Sequence, residues 1–443
     1  MKFIRALYIH SRLYLAATCI VSLYVCGSFI PVVYKLANFL LLTLVLLSFI
    51  DLFLLFLPKK SVQAERLCPE KLSNGDQNTI EIDVKSQYGF PINLTIVDEI
   101  PIQFQIRDLS FDLSIPPGQT RRIKYQLRPI TRGEYHFGVI NLFVRTPLGL
   151  FIRRFKTKQE QIIPVYPSFI QMHQYELLAI SNRLNEAGIK KIRRIGHQME
   201  FDQIREYVRG DDYRTINWKA TARKSQLMVN QFQDEKSQEV YCLIDMGRSM
   251  KMPFNGMSLL DYAINATLVI ANTANQKQDK AGLITFSKEI QATVPANSQR
   301  PHILKIMQVL YNQSTNFQEP NFELLYGTVK RKIRQRSLLL LFTNFESLDS
   351  MKRQLPYLQG LARNHLLVVV FFSNSEIPKL LKGNSKNIED IYIKTIGEKF
   401  IYDKKQIVHE LEKNGIHAVL TKPEHLTINT LNKYLELKAR GLI

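Results

Sequence analysis

Two long apolar runs lie side by side near the start of the chain. Leu13–Tyr34 carries no charge, and Leu36–Leu57 carries one, at Asp51. Each is close to the ~20 apolar residues that an α-helix needs to cross the hydrocarbon core of a bilayer. Lys35 separates the runs and Pro31 precedes it, which predicts a short turn there. Paired helices satisfy their backbone internally, as lipid demands, so residues 1–60 predict a two-helix transmembrane hairpin. Lys2, Arg5 and Arg12 precede the first run and Lys59, Lys60 and Arg66 follow the second, while the turn offers only Lys35. The positive-inside bias then places both ends in the cytoplasm. The first run is too long for the apolar part of a cleaved signal peptide, and a second follows at once. Asp51 is expected to be an interface-seeking side chain near the helix end, with a functional intramembrane carboxylate as the rival reading.

The chain has 443 residues, enough for two or three domains. A core of that size needs no disulfide or structural metal. The four cysteines, Cys19, Cys26, Cys68 and Cys242, form no CxxC or Cys/His group, which argues against a zinc site. The formal charge of +20 suggests attraction to anionic lipid, acidic partners or nucleic acid, and the plainer reading is a solvated basic surface near a negatively charged leaflet. No nucleic-acid motif accompanies it, so no specific nucleic acid is expected.

Residues 61–165 alternate apolar and polar positions in short runs. Thr79–Val84, Ile92–Val97 and Arg122–Leu127 read as half-buried strands, separated by turn residues at 73–76, 116–118 and 131–133. This pattern predicts a β-rich, sandwich-like module, a spacer or docking element without a catalytic constellation. Tyr135, Phe137 and Val139 are expected on one side of a strand, before a turn at Pro147-Leu148-Gly149.

Residues 166–236 form a charged connector. Lys190, Lys191, Arg193 and Arg194 cluster, and acids and bases then alternate through Arg205, Glu206, Tyr207, Arg209, Gly210, Asp211, Asp212 and Arg214 to the sole tryptophan, Trp218. Two readings stand open. Arginines can fork onto a partner's carboxylates or phosphates. The plainer reading is a salt-bridged brace against the neighbouring domain, with Trp218 packed as its anchor.

From 237 to 443 the rhythm is strand, helix, strand. Val240–Ile244, Ala281–Phe286, Glu289–Val294, Ser337–Phe342, His365–Phe372 and Ile416–Leu420 are expected strands. Helices are expected at 259–274, 301–311, 322–334 and after Pro423. The continuous apolar runs suit strands covered on both faces, giving an α/β doubly wound, mostly parallel sheet. Ligands of such sheets bind beyond the strands' carboxyl ends. There lie Asp245 and Ser249, then Ser314 and Thr315, and the loop Thr343-Asn344-Phe345-Glu346. These oxygen donors suit a hard cation such as Mg²⁺.

Together these motifs resemble known proteins. The α/β rhythm and the loop LIDMGRSM (Leu243–Met250) resemble the von Willebrand factor A domain with its metal-ion-dependent adhesion site. The two spans, β-rich module, PLGLF (Pro147–Phe151), the EF…REY…GDD…R…W…A block (Glu200–Ala220) and YLELKARGL (Tyr434–Leu442) resemble the bacterial family called domain of unknown function fifty-eight. That resemblance covers essentially the whole chain. It implies a multi-pass protein of the bacterial inner membrane with cytoplasmic soluble domains, partnered by a MoxR-type AAA+ ATPase in a chaperone-like role and by a client protein. Two positions depart from the adhesion-site pattern: Gly247 removes a hydroxyl, and Asn344 stands where an aspartate is usual. The degenerate set Asp245, Ser249, Thr315 and Asn344 is therefore expected to bind Mg²⁺ weakly or not at all.

The expected function is a non-enzymatic adaptor or scaffold. A hydrolase using Asp211 and Asp212 is one alternative, but no GxSxG, HExxH or GxxxxGK[ST] accompanies them. The other is a basic envelope protein that grips anionic polymer or lipid through 190–194 and 330–336.

Overall fold

A computed structural model describes residues 6–56, 62–180, 199–234, 237–315, 317–374, 376–381 and 388–443. The chain divides into two compact units, Met1–Val165 and Tyr166–Ile443.

The first unit opens with a short strand, β1 (Leu7–Ile9), followed by α1 (Ser11–Gly27) and α2 (Pro31–Phe56). α2 is 26 residues long, long and apolar enough to cross a membrane; α1, at 17 residues, is apolar but shorter. The break between them falls at 28–30, not at Lys35, which lies inside α2. Proline explains the shift: Pro31 fits the first helical position, where its missing N–H is not needed. The two helices touch through Tyr24, whose hydroxyl donates to Asn38 Oδ1 at 2.6 Å.

Among the described residues, ten further strands belong to this unit: β2 (Val62–Leu67), β3 (Leu72–Ser73), β4 (Asn78–Ser86), β5 (Ile92–Asp98), β6 (Ser110–Ile115), β7 (Thr120–Leu127), β8 (Gly133–Phe137), β9 (Ile140–Arg145), β10 (Phe151–Thr157) and β11 (Gln161–Tyr166). They form an antiparallel sheet in the order β1-β10-β9-β5-β6 and two three-stranded sheets, β2-β4-β7 and β3-β11-β8. Ile80, Ile82 and Val84 from one sheet and Leu94, Ile96, Leu142 and Val144 from another share one core, as the period-two alternation requires. Tyr135 and Phe137 join that core, but Val139 lies beyond the end of β8 and is only half-buried. Leu55 of α2 is part of the same core.

This docking overturns the interface-seeking reading of Asp51. Its side chain is fully buried. Oδ2 accepts the backbone N–H groups of Leu150 and Phe151, each at 2.9 Å, and Oδ1 accepts the Thr146 hydroxyl. Gly149, at φ +66, supplies the left-handed turn that aims those amides at the carboxylate. The last turn of α2 is held as well. The Leu55 carbonyl, an orphan acceptor at a helix end, receives Tyr88 Oη at 2.9 Å and Arg153 Nη1 at 2.5 Å. A second buried polar group lies deeper in the β-module. Arg66 pairs with Asp98, which also accepts the Tyr125 hydroxyl, and Arg66 donates to the Gln159 and Gly138 carbonyls at 3.0 Å.

The second unit begins with α3 (Phe169–Ile180). Next comes an antiparallel pair, β12 (Met199–Glu206) with β13 (Met228–Asp234), and α4 (Trp218–Lys224) lies between its strands. The main body comprises β14 (Glu239–Asp245), the small strands β15 (Pro253–Phe254) and β16 (Met257–Ser258), α5 (Leu259–Gln276), β17 (Lys280–Phe286), β18 (Ile290–Asn297), α6 (Arg300–Tyr311), α7 (Phe322–Lys332), β19 (Leu338–Phe342), α8 (Leu348–Asn364), β20 (Leu366–Phe372), α9 (Ile377–Leu381), α10 (Ile388–Lys413), β21 (His417–Thr421) and α11 (Leu426–Ala439). Six of these strands make one sheet in the order β18-β17-β14-β19-β20-β21, parallel except for the edge strand β18.

Alternate residues of each central strand serve two cores. Val240, Cys242 and Ile244 pack with α5, α6 and α11, whereas Tyr241 and Leu243 pack with α7, α8 and α10. Both faces are buried, which is why these strands read as unbroken apolar runs. The closing helix is tied down by its own sequence. Tyr434 Oη and Lys438 Nζ both reach Asp279 Oδ2 at 2.5 Å, just before β17. Those contacts give the YLELKARGL segment a structural role.

Candidate functional site

β14 and β19 are neighbours at the centre of the sheet, but the chain leaves them toward opposite edges. Their carboxyl ends therefore flank the crevice where open α/β sheets bind ligands. Asp245 ends β14, and Thr343 and Asn344 come directly after β19. Thr343 Oγ1 donates to Asp245 Oδ2 at 2.6 Å, and the Gly247 N–H donates to Oδ1 at 2.7 Å. Burial pushes the Asp245 carboxyl up to about 6, and those two donors offset part of that rise. Ser249 is half-buried and Ser314 exposed on the adjoining loops. Thr315 Oγ1 lies 3.5 Å from the Gly247 carbonyl, too long for a strong hydrogen bond.

Asn344 faces a cation already. Its Oδ1 accepts Lys404 Nζ at 2.7 Å, and the same amine reaches the Phe345 carbonyl at 2.6 Å. Burial draws the Lys404 amine down to about 8, against a smaller upward pull from Glu346. Lys404 is absent from the sequence-based candidates. Its partners lie far away in the chain, and no local pattern marks it.

The set does not fit a hard divalent cation. Mg²⁺ asks for six oxygens in a tight octahedron. Here both Asp245 oxygens hold donors, and the Asn344 oxygen holds an ammonium. Gly247 cannot simply be restored to serine, because a Cβ there would sit 2.7 Å from Pro320 Cδ and 3.1 Å from the Gln318 carbonyl oxygen. Among the described residues, no group of three His, Cys, Asp or Glu side chains is arranged to hold a metal.

Gln318 and Pro320 also border a cavity of about 610 Å³, lined further by Lys288, Glu319, Arg353 and Tyr357. It is open, mixed in charge, and adjoins the Gly247 loop.

The connector candidates form a separate group on the β12–β13 hairpin. Arg205 grips Asp211 through two parallel bonds of 2.7 and 2.8 Å, and Asp211 Oδ2 also accepts the Val208 N–H at 2.9 Å. These contacts hold the Asp211 carboxyl below its usual range, Arg205 contributing most. Gly210 turns the chain at φ +119. Asp212 caps the following turn through the Arg214 N–H at 3.0 Å, and the Arg214 guanidinium lies over the Tyr213 ring. Tyr207 is half-buried and Glu206 exposed. The described side-chain bonds of Arg205, Asp211 and Asp212 stay within this segment, so the pairing braces the hairpin itself. Trp218 is not a packed anchor: it is 71% exposed. Asn217 caps α4 through the Ala220 N–H at 3.0 Å, and Trp218 is the first helical residue after it. Lys190, Lys191, Arg193 and Arg194 lie outside the described residues.

Both groups fall inside one stretch with known relatives. Residues 203–383 match the family described as Protein of unknown function DUF58. The DUF58 match takes in Arg205 through Trp218 and Asp245 through Asn344, and it stops short of Lys404. The chain is 24% identical over 242 residues to the uncharacterized protein YeaD of Bacillus subtilis, covering 52% of this chain. It spans 58% of that relative's length. Among solved structures, similarity extends to the conserved hypothetical protein BatB from Bacteroides thetaiotaomicron, at 14% identity and a TM-score of 0.31, over 46% of this chain and 98% of that one. The pilus adhesin SpaC from Lactobacillus rhamnosus GG matches at 10% identity and a TM-score of 0.31, over 47% of this chain and 30% of that one.

Proposed function

We propose that this chain is a membrane-anchored adaptor without catalytic activity, whose second unit is a von Willebrand factor A-like domain that holds partners at the carboxyl edge of its sheet. The partner class is a MoxR-type AAA+ ATPase acting with a client protein in a chaperone-like role. The carrying observation is the cavity beside the Gly247 loop. It joins Lys288, Arg353, Glu319 and Tyr357 at the rim where such sheets bind, and arginine and tyrosine are the residues that protein interfaces favour. Engagement at this rim does not depend on Mg²⁺, since Lys404 and the Asp245 donors already occupy those oxygens.

The hydrolase alternative needs Asp211 as an available general acid or base. The Arg205 clamp and the lowered acidity range of that carboxyl argue against it.

The anchor reading is two crossings of the bacterial inner membrane, with the soluble parts cytoplasmic. Support comes from β1, which precedes α1 yet pairs with β10 of the module beyond α2. The two flanks of the helices therefore share one side, so if α2 crosses the bilayer the chain must cross twice.

The test uses full-length protein in detergent, mixed with the purified ATPase in the presence and absence of ATP. Nucleotide-dependent co-purification, weakened by Arg353→Glu, is expected. Failure to associate in either state, or turnover of a substrate by the chain alone, overturns the reading.

A further inference from the structure

The β12–β13 hairpin and α4 form a lobe whose outer surface is both oily and basic. Val208 is 62% exposed, Tyr213 69% and Trp218 71%, with Ile204 and Leu227 at 40% and 47%. In the same lobe Arg209, Arg214, Lys219, Arg223 and Lys224 are also exposed. Of the acids of the same lobe, Asp211 is paired with Arg205 and holds the Val208 N–H, Asp212 caps the Arg214 N–H, and Glu206 is exposed, so the basic side chains outnumber the free acids. Only Met228 and Val229 are buried among the described side chains of its strands. A two-stranded ribbon standing alone is marginal in water, so a second surface to cover its outer face would stabilise it.

The chemistry of that second surface follows from the side chains. Tryptophan and tyrosine are amphipathic, with a ring that prefers the headgroup level and a polar atom that stays wet. Arginine and lysine beside them suit anionic headgroups, which their long stems reach while the charge remains hydrated. The chain also carries the membrane-length helix α2, which keeps any bilayer surface at high effective concentration.

We propose that the lobe of residues 203–231 docks on the anionic surface of the bilayer that holds the chain's own helices, with Trp218 and Tyr213 seated among the headgroups and Arg214, Arg223 and Lys224 on lipid phosphates. This contact rests on the proposed membrane anchoring and not on the partner reading, which concerns the carboxyl edge of the sheet.

Trp218 is the chain's only tryptophan, so its fluorescence reports this site alone. Full-length protein is placed in nanodiscs of phosphatidylcholine, or of phosphatidylcholine mixed with phosphatidylglycerol, one copy per disc. In the anionic discs the emission shifts to the blue and lipids brominated near the headgroup quench it. Added salt lowers that quenching roughly twofold or more, as screening of surface charge requires. Arg214→Gln, Arg223→Gln and Lys224→Gln together produce the same loss without salt. Water-like emission without bromolipid quenching in both disc types overturns the proposal, and this outcome needs no variant. A blue shift seen only with two copies per disc, or only after a second protein is added, also overturns it, because the lobe then docks on protein.

Discussion

The carboxylate of Asp51, near the end of an apolar helix, accepts the backbone N–H of Phe151 at 2.9 Å. The same oxygen takes the Leu150 N–H, and the other takes the Thr146 hydroxyl. The PLGLF turn is thus folded around a side chain contributed by the membrane-length helix. Asp51→Ala leaves two buried amide N–H groups and the Thr146 hydroxyl proton without their acceptor. A loss of about 2–5 kcal/mol in the stability of the Met1–Val165 unit is expected, from the cost of unsatisfied buried donors. Asp51→Asn keeps one acceptor and should lose less. Urea unfolding of the full-length protein in detergent checks the order; equal stability of all three proteins would dismiss the clamp.

Asp245 makes a pH-dependent contribution whose sign is fixed by burial. Its folded value of about 6 lies above the ordinary 3.8, so the native state holds the proton more tightly than the unfolded chain. Stability from this group is full below pH 3.8 and is lost as pH rises through 6. Asp245→Asn keeps a carbonyl acceptor for Gly247 and removes the charge. The variant is expected to be more stable than the parent by about 1–3 kcal/mol at neutral pH, with the gain fading toward roughly pH 4. Thermal midpoints measured across that range decide it, and a difference that ignores pH would refute the burial argument.

Gly247 is a position where rebuilding the adhesion-site pattern should fail. Gly247→Ser drives a Cβ into Pro320 Cδ, and overpacking of this kind costs about 1–3 kcal/mol. Calorimetric titration with Mg²⁺ should show no heat in the millimolar range for the parent, and the serine should not restore it. Heats abolished by Asp245→Ala would instead establish a functioning metal site.

The Arg205–Asp211 pair calls for a local measurement, because surface ion pairs move global stability little. Arg205→Lys cannot make two parallel bonds to one carboxylate. The expected result is faster hydrogen exchange at the Val208 amide, which Asp211 holds, with the unfolding midpoint of the whole unit unchanged.

Strands such as Leu338–Phe342 and Leu366–Phe372 are legible in the sequence because burial on both faces leaves an unbroken apolar run, and Ile80, Ile82 and Val84 because burial on one face leaves alternation. α8 and α10 are not legible in the same way. Pro356 interrupts the pattern of the first, and the second mixes charge through most of its length. Asp51 escapes a sequence reading because helix position alone says nothing about a turn returning from far along the chain. Trp218 escapes it because a lone aromatic side chain is expected to pack, and here it is largely exposed. Lys404 meets Asn344 only through tertiary packing, a relation that no spacing rule encodes.

The pairing of β1 with β10 has a consequence for biogenesis. The first strand leaves the ribosome long before its partner is made, and both helices are synthesised in between. It cannot find its place in the sheet until the later strands have emerged. The β-module therefore closes only after both helices have been made, and a chain halted after its helices would leave the amino-terminal strand as an open edge, available to the wrong neighbour.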